Sequence, residues 1–345
     1  MKLPLSALAV SLLVGACGGG GGSDVSNPGA VPATPSTVSR PLAVTVAGST
    51  YANGTAELGG WNTLQQARVL CGFGALKQNA QLDAAARSHA LYLTSVSTTE
   101  SILSHYETIT SNPHYTGYNP WDRTQYQGYG TQIAEILSST TWNYDSRNPP
   151  VFPTMEQRGA DAMVNLLNTV YHLSGAMYDG ADVGFGADIR IYANATARRE
   201  EFRFGALNGF KLSSQRVKLG SAKVVTYPCE GSTNIPPAFV PAYESPNPFP
   251  TMTSTSQSVG PPIYLKVDAG QRLTLTASSV SVGAVQIATQ VLTAANDPHK
   301  EISSNEVFVV PLTALAANTN YQVILNGAVN GTPFSRSFTM RTGNP

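Results

Sequence analysis

Six prolines crowd one short stretch within 235–262, from 236 to 250: Pro236, Pro237, Pro241, Pro246, Pro248 and Pro250. Each fixes its own φ and lacks a backbone donor, so neither a helix nor a central strand can run through them. An extended, semi-rigid spacer over 235–262 is expected. The apolar pattern changes across it. Before the spacer, Trp61, Leu64, Ala67 and Cys71 recur at helical spacing, as do Leu82, Ala85, Ala86, His89 and Leu93 behind Asn79, and a third helical stretch runs over 155–171. Strand patterns cover 182–191, 201–207 and 223–227. Helices flanking a short sheet predict an α+β fold, a three-layer α-β-α sandwich, over 51–234. After the spacer, 263–345 reads as β alone. Tyr321, Val323 and Leu325 alternate, and Phe334, Phe338 and Met340 follow across Asn330-Gly331, a strong hairpin turn. A module of that size fits an immunoglobulin- or fibronectin-like sandwich.

Ahead of residue 51 nothing can build a core. Met1-Lys2 precedes an apolar run, Leu3 to Ala16, too short to cross a bilayer and suited to a secretory signal. Val14-Gly15-Ala16-Cys17 resembles a bacterial lipobox. The resemblance implies a lipoprotein signal peptide over 1–16, a lipid on the Cys17 thiol, and export to the cell envelope with the lipid membrane as a partner. Gly18, where an Asp would retain such proteins at the inner membrane, points by analogy to the outer membrane. The glycine run Gly18–Gly22 and Pro28, Pro32, Pro35 and Pro41 make 17–50 a flexible tether. With Cys17 lipidated, Cys71 and Cys229 remain as an even pair in an oxidising compartment, either a disulfide or two buried thiols. Charged residues are 12% of the chain, 21 basic against 21 acidic, without a basic stripe, so no nucleic-acid partner is expected.

Chemistry rests on a few histidines and acids. His89 lies on the apolar stripe of its helix and reads as a core histidine; His114 and His299 sit in turns. His105 follows a helical stretch in Ser104-His105-Tyr106-Glu107, and His172 ends the third one. Glu135 stands among apolar neighbours in Ile133-Ala134-Glu135-Ile136, where a carboxylate must be paired, protonated or ligating.

In order, Ala85-Ala86-Arg87-Ser88-His89-Ala90, Ser104-His105, Gly128-Tyr129, Ala134-Glu135-Ile136, the run Tyr171 to Tyr178 and Val183-Gly184-Phe185-Gly186 resemble the CAP superfamily. These are the cysteine-rich secretory, antigen 5 and pathogenesis-related 1 proteins, here in their bacterial SCP-like form. The likeness covers about Trp61 to Cys229 and implies the same α-β-α sandwich. It also implies an open cleft in which His105 and Glu135 face His172. Ala134 and Ile136 depart from the family's Gly and Asn, and Tyr171 stands where the family has Gly. The family's second acid has no clear match; Glu156 is the nearest.

Two imidazoles and a carboxylate can hold zinc or another divalent cation with a position left open. No HExxH helix and no GxSxG elbow is present, so catalysis ranks below metal binding and below a structural hydrogen-bonded network. The expected function is a non-catalytic binding or interaction module, with lipid, glycan or protein as candidate ligands. The alternatives are a metal-assisted hydrolase of envelope material and a lipid or sterol carrier. The aromatic stretch Asn112–Tyr129 reads as the lid of the cleft.

Overall fold

A computed structural model describes residues 42–97, 103–193 and 196–344. The expected signal peptide, Cys17 and the first part of the expected tether lie outside them. Helix α1 spans Ala56–Leu70 and α2 spans Ala80–Val96. Each begins on a side-chain cap: Thr55 Oγ1 accepts the Leu58 N–H, and Asn79 Oδ1 accepts those of Gln81 and Leu82. Helix α3 (Pro120–Tyr126) lies inside the aromatic stretch and carries proline in its first turn. The third helical run is two helices, α4 (Met155–Leu167) and α5 (Val170–Ala176), interrupted at Asn168 and Thr169.

The first sheet has the order β1 (Lys77–Gln78), β3 (Asp182–Ala193), β4 (Ala197–Gly209), β2 (Ile133–Asp145). β1 pairs parallel with β3, and the long ladders of β4 with β2 and with β3 are antiparallel. Helix α2 lies directly on β3 because Gly184 and Gly186 have no side chains. A Cβ on either would sit 2.2 Å from a backbone nitrogen of α2, that of Asp83 or Arg87. This contact fixes where α2 presents His89.

The remaining strands are β5 (Val225–Tyr227), β6 (Ile263–Lys266), β7 (Leu273–Val282), β8 (Val285–Ile287), β9 (Thr289–Thr293), β10 (Glu306–Pro311), β11 (Asn320–Val329) and β12 (Thr332–Arg341). They form two sheets, β5-β6-β10-β9 and β12-β11-β7-β8. Asn330 and Gly331, both at positive φ (49° and 86°), turn β11 into β12. Ile263, Leu265, Val307 and Val309 face the second of these sheets across one core. Their alternate neighbours Tyr264, Phe308 and Val310 face the other way, into the core of the helical part. β6 and β10 are therefore buried on both faces, which explains their unbroken burial, Lys266 and Glu306 included.

That shared core corrects the expected fold class. The described residues do not form a three-layer α-β-α sandwich followed by a separate immunoglobulin-like one. They are mostly β, twelve strands in three sheets beside five short helices. The apolar surface of α1, α4 and α5 is covered on one side by the first sheet and elsewhere by Tyr264, Phe308 and Leu292. The physical reason is the even-numbered faces of β6 and β10, which carry large aromatics rather than solvent-facing polar groups. The strand read at 223–227 with those of the first sheet, observed as Val225–Tyr227, pairs with β6 instead.

The proline stretch is also not a free spacer. Phe239 and Val259 bond to each other's backbone, and Phe239, Phe249 and Val259 enter the helical core. At the other end, part of the tether packs: Ala43 O accepts the Ala75 N–H at 2.7 Å, and Thr50 N–H donates to Gln78 Oε1. Cys71, at the C-cap of α1, and Cys229 form a disulfide 158 residues apart in sequence.

Candidate functional site

Helix α3 delivers the group that organises the site. Arg123 is fully buried. Its Nη1 donates to the carbonyls of His105 (2.9 Å) and Tyr118 (3.3 Å), and its Nη2 lies 2.8 Å from both oxygens of Glu135. Glu135, on β2, also accepts from His105 Nδ1 at 2.7 Å. Burial alone would raise the Glu135 carboxyl. The Arg123 charge, with His89 and the hydrogen bond from His105, overrides it and holds the group well below the usual carboxylate range.

Behind Arg123 lies a second buried pair. Glu107 Oε1 is 2.9 Å from His89 Nδ1 and 3.7 Å from Arg123 Nε, while Glu107 Oε2 accepts the Thr116 N–H. His89 Nε2 is 2.9 Å from the Ser104 carbonyl. Both ring nitrogens thus face oxygens, so a proton must lie between Nδ1 and Glu107. Burial, and then the Arg123 charge, work against an imidazolium there, while Glu135 and Glu107 favour it. His89, read from the sequence as a core histidine with one hydrogen bond, makes two.

His172 reaches the same region from α5 with other partners. Its Nδ1 is 3.0 Å from Thr169 Oγ1 and 3.4 Å from Glu244 Oε1. Glu244, itself buried, comes from the proline stretch and accepts the backbone N–H groups of Val170 (2.9 Å) and Tyr171 (2.6 Å) at the start of α5. These are donors that a helix leaves unpaired, so this carboxylate docks the segment, while Thr169 Oγ1 holds the imidazole.

His105 and His172 line one cleft of about 630 Å³. Ser138 and Thr140 of β2 form part of its floor, Asn165 of α4 part of its side, and Phe239 and Tyr243 of the proline stretch the opposite wall. Among the described residues no Asp, Glu, Lys or Arg lines it. With Nδ1 of each ring engaged, neither Nε2 has a hydrogen-bond partner among the described residues, and neither is a buried orphan, so both open to the cleft.

The structure thus brings His105 and Glu135 into contact and places His172 in the same cleft on Glu244. Glu156 lies elsewhere, accepting the Gly54 N–H at 3.0 Å from the first turn of α4. The aromatic stretch does not line the cleft; Tyr129 is buried with its hydroxyl on Asp182, and Tyr118 and Tyr126 are exposed.

The donor set does not suit a three-ligand cation site. Both Glu135 oxygens are committed to a guanidinium, and a cation there would face the Arg123 charge. Among the described residues no three His, Cys, Asp or Glu side chains are grouped to hold a metal ion. What the geometry offers is two oriented imidazoles with open Nε2 atoms in an uncharged, mixed polar and apolar cleft.

Sequence reasoning missed Arg123, Glu107 and Glu244 as members of the site. Glu107 lies two residues after His105, and Arg123 is a lone cation within a strongly aromatic stretch, which is a usable signal. Glu244 carried none, since it sits in what read as a spacer. No protein-family model matches the chain, and no curated protein matches it. The likeness to the CAP superfamily rests on its residues alone.

Proposed function

We propose that this chain is a non-catalytic binding module of the cell envelope, held there through Cys17, and that the cleft between His105, His172 and the proline stretch is its ligand site. One observation carries this reading. Two histidines from distant segments are each held at Nδ1, His105 by the buried Glu135 and His172 by Thr169 Oγ1 with Glu244 at 3.4 Å, and both open Nε2 into one cleft of a size suited to small ligands. Such orientation is what a binding site needs: rings that do not have to be ordered when the ligand arrives.

A hydrolase would need a nucleophile or an activated water beside such a ring. Ser104, the hydroxyl nearest His105 in sequence, accepts the Tyr106 N–H and faces the Tyr106 carbonyl rather than the imidazole. Binding without turnover is therefore the better account.

Histidine-selective ¹H–¹⁵N NMR of the full chain tests it, with envelope lipid, glycan and peptide fractions added in turn. One fraction should move the Nε2 resonances of His105 and His172 and leave buried His89 still. Turnover of an added component, or no fraction moving either ring, would overturn the reading.

A further inference from the structure

The chemistry of the cleft narrows what it can take. Among the described residues its lining carries no Asp, Glu, Lys or Arg, so a carboxylate, phosphate or ammonium entering it would lose water without gaining a fixed charged partner there. Its polar groups are hydroxyls, the two side-chain amides of Asn165 and Asn168, and two imidazoles. In the neutral tautomer that donates Nδ1–H to Glu135, His105 offers Nε2 only as an acceptor. The same holds for His172, whose Nδ1 faces Glu244 and Thr169. The site therefore asks for a ligand rich in neutral donors that can also accept from Asn165 and Thr140. An acyl chain or a sterol ring system would leave these groups desolvated and unpaired.

The wall supplies the apolar complement. Tyr243 lines the cleft yet is 75% exposed, an aromatic ring held at the rim. Its neighbour Glu244 anchors the backbone at that point through the α5 N–H groups, so the ring stands on a fixed segment. A flat apolar ring beside hydroxyl and imidazole groups matches a molecule with one C–H face and a hydroxyl edge.

We infer that the ligand of this cleft is a neutral oligosaccharide, one sugar ring stacked on Tyr243 and its hydroxyls donating to Nε2 of His105 and His172. The inference rests on the binding reading given above.

Calorimetry on the purified full-length chain in detergent tests it with cellotetraose and tetra-N-acetylchitotetraose as neutral probes. Tetragalacturonate, palmitate and zinc chloride serve as acidic, lipid and metal probes. A neutral tetrasaccharide should bind, and tetragalacturonate should bind at least tenfold more weakly. Tyr243→Ala and Asn165→Ala, both at exposed positions, should each weaken the neutral sugar about tenfold with thermal melting unchanged. Neither sugar binding, or equal binding in Tyr243→Ala, would overturn the inference. If palmitate or zinc alone shifted the two histidine rings, this inference would fall while the cleft remained a binding site.

Discussion

Replacing Arg123 by Met tests whether one guanidinium holds the site together. The side chain is fully buried, makes four hydrogen bonds, and faces Glu135 at 2.8 Å and Glu107 at 3.7 Å. Methionine keeps the length and apolar stem but leaves two buried carboxylates without their cation. Removing one partner of a buried ion pair costs about 3–5 kcal/mol, much of it the stranded charge. The pH dependence gives the sharper signature. In the native chain the depressed Glu135 carboxyl contributes stability above its unfolded pKa of about 4.3, lost only as pH falls through the lower folded value. That contribution is constant between pH 8 and pH 5. Without Arg123, burial, the strongest single influence on this carboxyl, is opposed only by His89 and His105, and the folded carboxyl is expected to bind its proton more tightly than the unfolded one. The variant's stability is then greatest at low pH and falls as pH rises, so its deficit should be largest at pH 8 and shrink toward pH 5. Urea unfolding of both chains at pH 8, 6.5 and 5, followed by circular dichroism, measures this, and adding Glu135→Gln to the variant should recover part of the loss at pH 8. A deficit below about 1 kcal/mol, or one independent of pH, would refute the argument, since a stranded buried carboxylate must show both.

Two further outcomes are expected. Cys71→Ser with Cys229→Ser releases a crosslink spanning 158 residues, and the chain-entropy relation puts the loss at about 5 kcal/mol, read as a fall in urea midpoint with a steeper slope, because the released unfolded chain exposes more surface. Cys17→Ser should move the protein from the membrane fraction to the soluble one and abolish labelling with radioactive palmitate; retention of both would exclude the thiol as the anchor.

Much of the local structure was legible because it is written in short-range pattern. Thr55 and Asn79 announce their helices through caps, the apolar stripes place α1 and α2, and Asn330-Gly331 marks the turn between β11 and β12. Residues near in sequence decide these features, so the sequence alone carries them. His105, Glu135 and His172 could also be singled out, because polar side chains beside apolar runs need partners.

Which partners they have was decided by the tertiary fold. Glu135 meets Arg123 because α3 folds under β2, and His172 meets Glu244 because the proline stretch returns across α5. The fold class failed for the same reason. The alternating pattern of β6 and β10 shows two faces but not what covers them, and Tyr264 and Phe308 bury against the helical core rather than water. Proline content told that no α-helix or strand runs through 235–262; it could not tell that Phe239, Phe249 and Val259 would fill a core or that Tyr243 would stand at a cleft. A local pattern sets the conformation of a segment. The surface that segment packs against is set by segments far away in sequence, whose combined apolar area is buried only once the whole chain has closed.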